Sequence, residues 1–331
     1  EYGGCCGWSA VHDARRVAAV LDIPFYVLNL RAEFEREVIE YFTREYARGR
    51  TPNPCIACNR YIKFTALLQK ALALDAWYVA TGHYARIRWH PERRKYLLLR
   101  PADSRKDQTY ALYNFTQEQL AHTLLPLGDY KKEEVRRLAA RWALPVADKP
   151  ESQEICFVPN NNYAAFLRTR IPEKFVPGPI VDTQGRVLGR HRGLPHYTFG
   201  QRKGLGITAP EPLYVVDIQP ETNTLVVGTA EETRAPGLVA GEINLISIDE
   251  VSPGMRVQAK IRYNSPAKPA TLWPTAAGRV RVLFDEPPRA ITPGQAVVFY
   301  RGDEVLGGGT IEQVLHQLEA TQEPVKRAGE V

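Results

Sequence analysis

Cys55 and Cys58 form a Cys-x-x-Cys pair inside TPNPCIACNRYIKF, residues 51–64, between two prolines and an apolar-basic stretch. Structural zinc would need two further ligands at suitable spacing. The chain has no second Cys-x-x-Cys: Cys156 stands alone and Cys5 and Cys6 are adjacent. An iron–sulfur cluster on Cys55, Cys58 and Cys156, with one iron position open, is a second reading. A thioredoxin-like couple belongs where a strand enters a helix, whereas a proline-broken loop precedes this pair. The last chemistry is a single thiol nucleophile. If the helix begins near Arg60, Cys58 lies just before its first turn. There the backbone N–H groups, the helix dipole and the guanidinium all favour a thiolate. A packed loop cysteine is the ordinary alternative, and the residue types leave these two even. Cys156, between Ile155 and Phe157, reads as a core residue unless the fold brings it to Cys58.

The elements that must position these thiols change character along the chain. The first half alternates helix and strand patterns, which implies a parallel sheet covered by helices. Ser9 reads as an N-cap for a helix with Val11, Ala14, Val17, Ala18 and Leu21 on its apolar face. IPFYVLNL (23–30) reads as a buried strand, and Phe34, Val38, Ile39, Phe42 and Tyr46 mark the next helix. A helix is expected from about Arg60 to Leu74, then a strand in WYVATGHYARI ending at Gly82. Helical patterns return at 116–124 and at 131–143, the latter with Val135, Leu138, Ala139 and Trp142 as its stripe. From about Ile180, short alternating runs are separated by Pro, Gly and Asn. PLYVVDIQPETNTLVVGT (212–229) reads as two strands around a PETN turn. The runs that follow, to about Ile311, suggest a small barrel or sandwich.

With 331 residues the chain is too long for one ordinary core, so two or three domains are expected. Composition, 44% apolar and 24% charged, is that of a folded protein, and no apolar run reaches the roughly 20 residues of a membrane span. Five cysteines are an odd number with no framework spacing, which fits a reducing cytoplasm, and the start shows no secretion signal. A formal charge of +6 favours a polyanionic partner only weakly. Arg202 and Lys203 in GQRKGLG are a short basic loop able to meet phosphate.

GRTPNPCIACNRYIKF, ATGHYARI, KDQTYALY, ESQEICF, GQRKGLGI and KIRYNSP occur in this order, and by them the chain, from about residue 5 to about 311, resembles the tRNA-specific 2-thiouridylases. The resemblance implies an adenine nucleotide α-hydrolase-like α/β domain of ATP-pyrophosphatase type (1–160) with a parallel sheet, a small central tRNA-binding domain (161–229), a C-terminal β-barrel (230–316) and a flexible tail (317–331). It implies that Cys58 is the nucleophile and Cys156 carries a persulfide, the two forming a disulfide in the cycle. Gly82 would contact ATP. Asn53, Pro54 and Cys55 would meet the target base, and His83, Lys106, Asp107, Gln108, Arg262, Tyr263 and Gln295 the rest of the tRNA. The implied reaction is ATP-dependent 2-thiolation of the wobble uridine, with Mg accompanying ATP and no resident metal required. Its partners would be tRNA (glutamate, glutamine and lysine acceptors) and a cysteine desulfurase or sulfur-relay protein, in the cytoplasm and away from membranes. The family's Ser-Gly-Gly-Val-Asp-Ser phosphate loop has no counterpart here, and YGGCCGWS corresponds to a later loop. The resemblance is therefore to an N-terminally truncated, incomplete α/β domain, itself unable to adenylate a base. Two other readings stand beside it: an ATP-incompetent tRNA-binding fragment, and an iron–sulfur-dependent thiolase using Cys55, Cys58 and Cys156.

Overall fold

The structure, a computed structural model, describes residues 7–149 and 155–317. Cys5, Cys6, the segment 150–154 and the tail from 318 lie outside the described residues. The first helix, Trp8–Val20, is capped by Gly7 rather than Ser9, which lies inside its first turn, and only Ala18 of its apolar face is fully buried. Residues 23–30 are not a strand. Ile23, Tyr26, Val27 and Leu28 are exposed, because no described strand offers their backbone a ladder partner.

Two longer helices follow, at 31–47 and 54–72. Asn53 caps the second, its side chain accepting from the Cys55 N–H at 3.1 Å, and Pro54 takes the first helical position, where no N–H is needed. The helix thus begins six residues before Arg60. Cys58 sits in its second turn, its own N–H satisfied by Pro54, so the free N–H groups at the helix start do not act on it. The Arg60 guanidinium lies 5.0 Å from the Tyr61 ring centre. Over Cys58–Ala66 the helix widens to π-type bonding.

Strand β1 (Val79–Ala80) stops short of Gly82. A hairpin, β2 (Arg86–His90) and β3 (Lys95–Leu99), comes next, then a short helix Gln117–Ala121 with a full capping box on Thr116. Strand β4 (Thr123–Leu124) pairs parallel with β1, giving a two-stranded parallel sheet among the described residues. The helix Lys132–Arg141 leaves its apolar stripe only half-buried, with Trp142 exposed beyond its end.

The central part holds β5 (Gly178–Val181), β6 (Val187–His191), β7 (Tyr214–Gln219) and β8 (Thr224–Gly228) in the order β6-β5-β8-β7. The PETN turn joins β7 to β8 as expected, with Asn223 at φ 51°. Beyond it come β9 (Gly237–Leu245), β10 (Met255–Lys260), β11 (Lys268–Pro274), β12 (Val280–Phe284), β13 (Ala296–Arg301) and β14 (Glu304–Leu315). They pair in the order β13-β10-β11-β12-β9-β14, and a β13–β14 ladder closes the barrel.

Strand β13 explains how the barrel meets the α/β part. Its run AVVFY is buried on both faces, so it lacks the polar-out alternation of a solvated barrel wall. Val297 and Phe299 fill the barrel core, while Ala296, Val298 and Tyr300 join a second core with Ile56, Phe64, Leu98 and Tyr110. The hairpin β2–β3, from within residues 1–160, continues the barrel sheet through β14, with Leu99 opposite Glu304 and the Arg100 N–H donating to Asp303 O at 2.9 Å.

Candidate functional site

The loop before the Cys58 helix is held by the barrel. The Thr51 N–H donates to Pro293 O at 2.9 Å, and Gln295 Nε2 donates to Thr51 O at 2.8 Å. Between them Gly294, at φ +90°, lies so close that a Cβ would come 3.0 Å from Thr51 N. Arg50 Nη2 adds a bond to Ile311 O at 3.2 Å and its Nε pairs with Glu45 at 2.9 Å. Gln295 therefore acts here through Thr51, as part of a clamp on the stretch TPNP.

Within the helix Pro54 is buried, Cys55 is exposed and Cys58 is half-buried. Ala57 and Ile62 pack into a cluster with Phe34, Val38, Ile39, Phe42 and Phe157. Phe157 is the anchor for the other cysteine. Its ring meets Phe34 at 5.8 Å, Phe42 at 5.3 Å and Phe166 at 5.4 Å between centroids. Cys156 precedes it, and a turn closes from the Val158 N–H to Ile155 O at 3.0 Å. Cys58 and Cys156, far apart in sequence, both pack against this one cluster. Cys55 does not join them. Among the described residues no three Cys, His, Asp or Glu side chains are grouped to hold a metal ion. Asn59, next to Cys58 and buried, donates to Ala111 O at 2.9 Å but leaves its own Oδ1 without a hydrogen-bond partner.

Phe64 on the same helix lies 5.9 Å from the His83 ring. His83 Nδ1 is 2.8 Å from Thr81 Oγ1. Burial, with the field of Lys63 added, pulls the imidazole pKa down to about 4, so the ring is neutral at physiological pH. Gly82, beside it, is exposed at the carboxyl end of the β1–β4 pair. It has no positive φ, and a Cβ would meet only Leu127 at 3.5 Å. Turn geometry therefore does not demand glycine there. Gln108 bridges the next residue from both sides: Tyr84 N–H donates to its Oε1 at 2.7 Å, and its own N–H donates to Tyr84 O at 3.1 Å.

Lys106 is half-buried, and Asp107 is not the solvated surface group its type suggests. It accepts from Arg100 Nη1 at 3.0 Å, from Thr109 N at 2.9 Å and from Thr109 Oγ1 at 2.5 Å. Lys260 of β10, also buried, lies in the field of Asp107, with Nζ 5.9 Å from the Tyr110 ring centre and 5.8 Å from that of Tyr263. Burial lowers the Lys260 pKa, the Arg100 charge adds to this, and Asp107 opposes it. Tyr263 is 39% exposed and meets Tyr110 edge-on at 6.2 Å. Arg262 is half-buried and donates to Ala290 O and Thr292 Oγ1. The basic pair Arg202 and Lys203 is exposed on the central domain. The fold thus gathers Asn53, Pro54, Cys58, Cys156, His83, Gln108 and Gln295 around the 54–72 helix. Asp107 and Lys260 form a neighbouring buried centre, with the exposed Tyr263 at its edge. Lys260, Arg100 and the Thr51 clamp were missed from sequence; only the glycine between Pro293 and Gln295 hinted at a close approach.

Three family models match in the order of the three parts. Residues 1–160 match the tRNA methyl transferase HUP domain, residues 164–229 the tRNA methyl transferase PRC-barrel domain, and residues 236–311 the aminomethyltransferase beta-barrel domain. The first part is thus an α/β domain of the HUP class. The chain is 60% identical over 315 residues to the tRNA-specific 2-thiouridylase MnmA of Carboxydothermus hydrogenoformans, covering 95% of this chain and 86% of that one. It is 61% identical over 311 residues to the MnmA of Moorella thermoacetica, covering 94% and 87%. With that of Symbiobacterium thermophilum it shares 57% over 318 residues, covering 96% and 81%. The chain belongs to the tRNA-specific 2-thiouridylase family.

Proposed function

We propose that the protein carries out ATP-dependent 2-thiolation of the wobble uridine of tRNA, with Cys58 and Cys156 as its two working thiols. The observation that supports this most is the convergence of those two cysteines, and not Cys55, on the Phe157 cluster. The relatives' name points to thiolation, the family-model descriptions to methyl transfer; identity near 60% along almost the whole chain outweighs a model's label.

A uridine C2 oxygen is a poor leaving group. ATP, when bound, supplies the activation that lets it depart as part of AMP. The exposed Gly82 at the carboxyl end of β1 fits a nucleotide there, since such strand ends are where α/β sheets take ligands. The terminal sulfur of a Cys156 persulfide then attacks C2, forming a C–S bond as the C–O bond to the adenylate breaks. Cys58, as thiolate, attacks the Cys156 sulfur. The S–S bond breaks with its electron pair on the sulfur left on the base, and a Cys58–Cys156 disulfide forms. A thiol reductant reopens it, and a cysteine desulfurase or relay protein reloads Cys156. Asn53, Pro54 and Cys55 stand where a base turned out of the anticodon stack would enter. Neutral His83 donates or accepts one hydrogen bond there without charge. Lys106, Asp107, Gln108, Arg262, Tyr263 and Gln295 hold or support the tRNA, and Mg accompanies ATP.

The test is mass spectrometry of wobble uridine in tRNA from cells lacking this activity, complemented with the wild-type gene, Cys58→Ser, Cys156→Ser or Cys55→Ser. Wild type and Cys55→Ser are expected to restore 2-thiouridine and the other two to fail. A methylated uridine in place of the thiolated one would overturn the reading. Restoration by Cys58→Ser or Cys156→Ser would remove that thiol from the mechanism.

A further inference from the structure

A cavity of about 320 Å³ opens on the barrel wall. Its walls include Arg234, Ile261, Arg262, Lys268, Phe284 and Arg289. Two of these cations are already matched, Arg234 by Glu231 at 2.9 Å and Lys268 by Glu286 at 3.4 Å. Arg262 and Arg289 are not: among the described residues neither pairs with a carboxylate. Arg262 donates instead to Ala290 O and to Thr292 Oγ1 at 3.3 Å. Arg289 donates to Thr233 Oγ1 at 3.3 Å, and its guanidinium lies 5.1 Å from the ring centre of Tyr214 in the central sheet.

Each guanidinium stands in the other's repulsive field. Arg262 is held below its ordinary pKa first by burial and then by the charge of Arg289, with Tyr110 opposing. Two unneutralised like charges beside the apolar Ile261 and Phe284 are unfavourable in the empty protein. The arrangement gains stability when an anion lies between them. Guanidiniums fixed by side-chain and backbone contacts suit phosphate oxygens, for which their planar fork is shaped. The volume is at the small end of ligand sites, room for one phosphate with its sugar against the apolar wall.

We propose that this cavity seats one backbone phosphodiester of the RNA substrate, held by Arg262 together with Arg289. It rests on the tRNA reading above and adds Arg289 and the seam between barrel and central sheet to the RNA-binding face. Tyr214 and Thr233 position Arg289 from opposite sides of that seam.

The experiment is fluorescence anisotropy of a labelled tRNA transcript with the full chain, at salt concentrations from about 50 to 200 mM. Arg289→Gln is expected to flatten the plot of log affinity against log salt by about one phosphate's worth, a slope change near one. Arg256→Gln, whose arginine is paired with Asp285 elsewhere on the barrel, is expected to leave the slope unchanged. If Arg289→Gln lowers only the melting temperature and keeps the wild-type slope, the arginine is structural and the proposal is overturned. If it keeps the RNA slope but weakens binding of inorganic phosphate followed by phosphorus NMR, the occupant is a free anion and the RNA assignment is overturned. If wild type shows no salt-dependent tRNA binding at all, it is the tRNA reading itself that fails.

Discussion

Replacing Asp107 by Asn keeps the shape of a buried side chain and removes its charge. The carboxylate holds three donors: Arg100, and the backbone and hydroxyl of Thr109. Its loss weakens one charge-assisted bond worth about 1.5–3 kcal/mol. It also leaves Lys260 buried without its favourable neighbour. Breaking a buried pair from one side typically costs about 3–5 kcal/mol. The Arg100 side chain is 28% exposed and its guanidinium lies 4.1 Å from the Tyr300 ring centre, so water and the ring recover part of the loss. About 3 kcal/mol is therefore expected. With a urea dependence near 3 kcal/mol per M, the unfolding midpoint should fall by about 1 M. Adding Lys260→Met should restore part of that fall, because the stranded charge is then gone. The assay is urea unfolding followed by circular dichroism on wild type, both single variants and the double variant. A midpoint loss under about 0.3 M for Asp107→Asn, or a double variant as weak as the two singles added, would show that Asp107 does not offset the buried Lys260 charge.

Three further outcomes rest on contacts around the Cys58 helix and the loop before it. His83 titrates near 4 in the folded chain and near 6.5 when unfolded, so the unfolded state takes up its proton first as pH falls. His83 thus adds stability above about pH 6.5 that is lost as pH falls toward 4, by up to about 1.4 kcal/mol per pH unit. Urea unfolding of His83→Asn across that window should show the shallower pH dependence; equal slopes would count against a buried neutral ring. Gly294→Ala places a Cβ against the Thr51 backbone at a positive φ, and should cost about 1–3 kcal/mol by thermal unfolding and slow thiolation with it. Asn53→Ala removes the cap of the Cys58 helix and should cost about 1 kcal/mol, while Asn53→Asp, which keeps an acceptor, should cost much less.

What the sequence revealed divides along physical lines. The barrel strands were legible because Val280, Val282 and Phe284 alternate inward along a single element. Residues 23–30 have the same composition yet form no strand, since a ladder needs a partner that local pattern does not report. The Cys58 helix was placed too late because Pro52 and Pro54 read as breakers, whereas Pro54 is the first helical residue and Asn53 its cap. Asp107 has the residue type of a surface charge and Lys260 carried no signal in the sequence; only the packing of β13 against the α/β core buries their surroundings. The pairing of Cys58 with Cys156 came from the family resemblance, and the residues alone left it open. Its geometric support rests on Phe157, whose ring is held by Phe34 and Phe42 from far away in the chain and by Phe166 nearby.

In the proposed mechanism Cys58 works with Cys156 and Cys55 stands aside. Mild oxidation of the folded chain, followed by non-reducing peptide mapping, tests it directly because Cys55 competes from the preceding turn of the same helix. The peptide carrying Cys58 is expected to become linked to the peptide carrying Cys156, with Cys55 still open to alkylation. A Cys55–Cys58 link as the main product, with Cys156 alkylated instead, would contradict it.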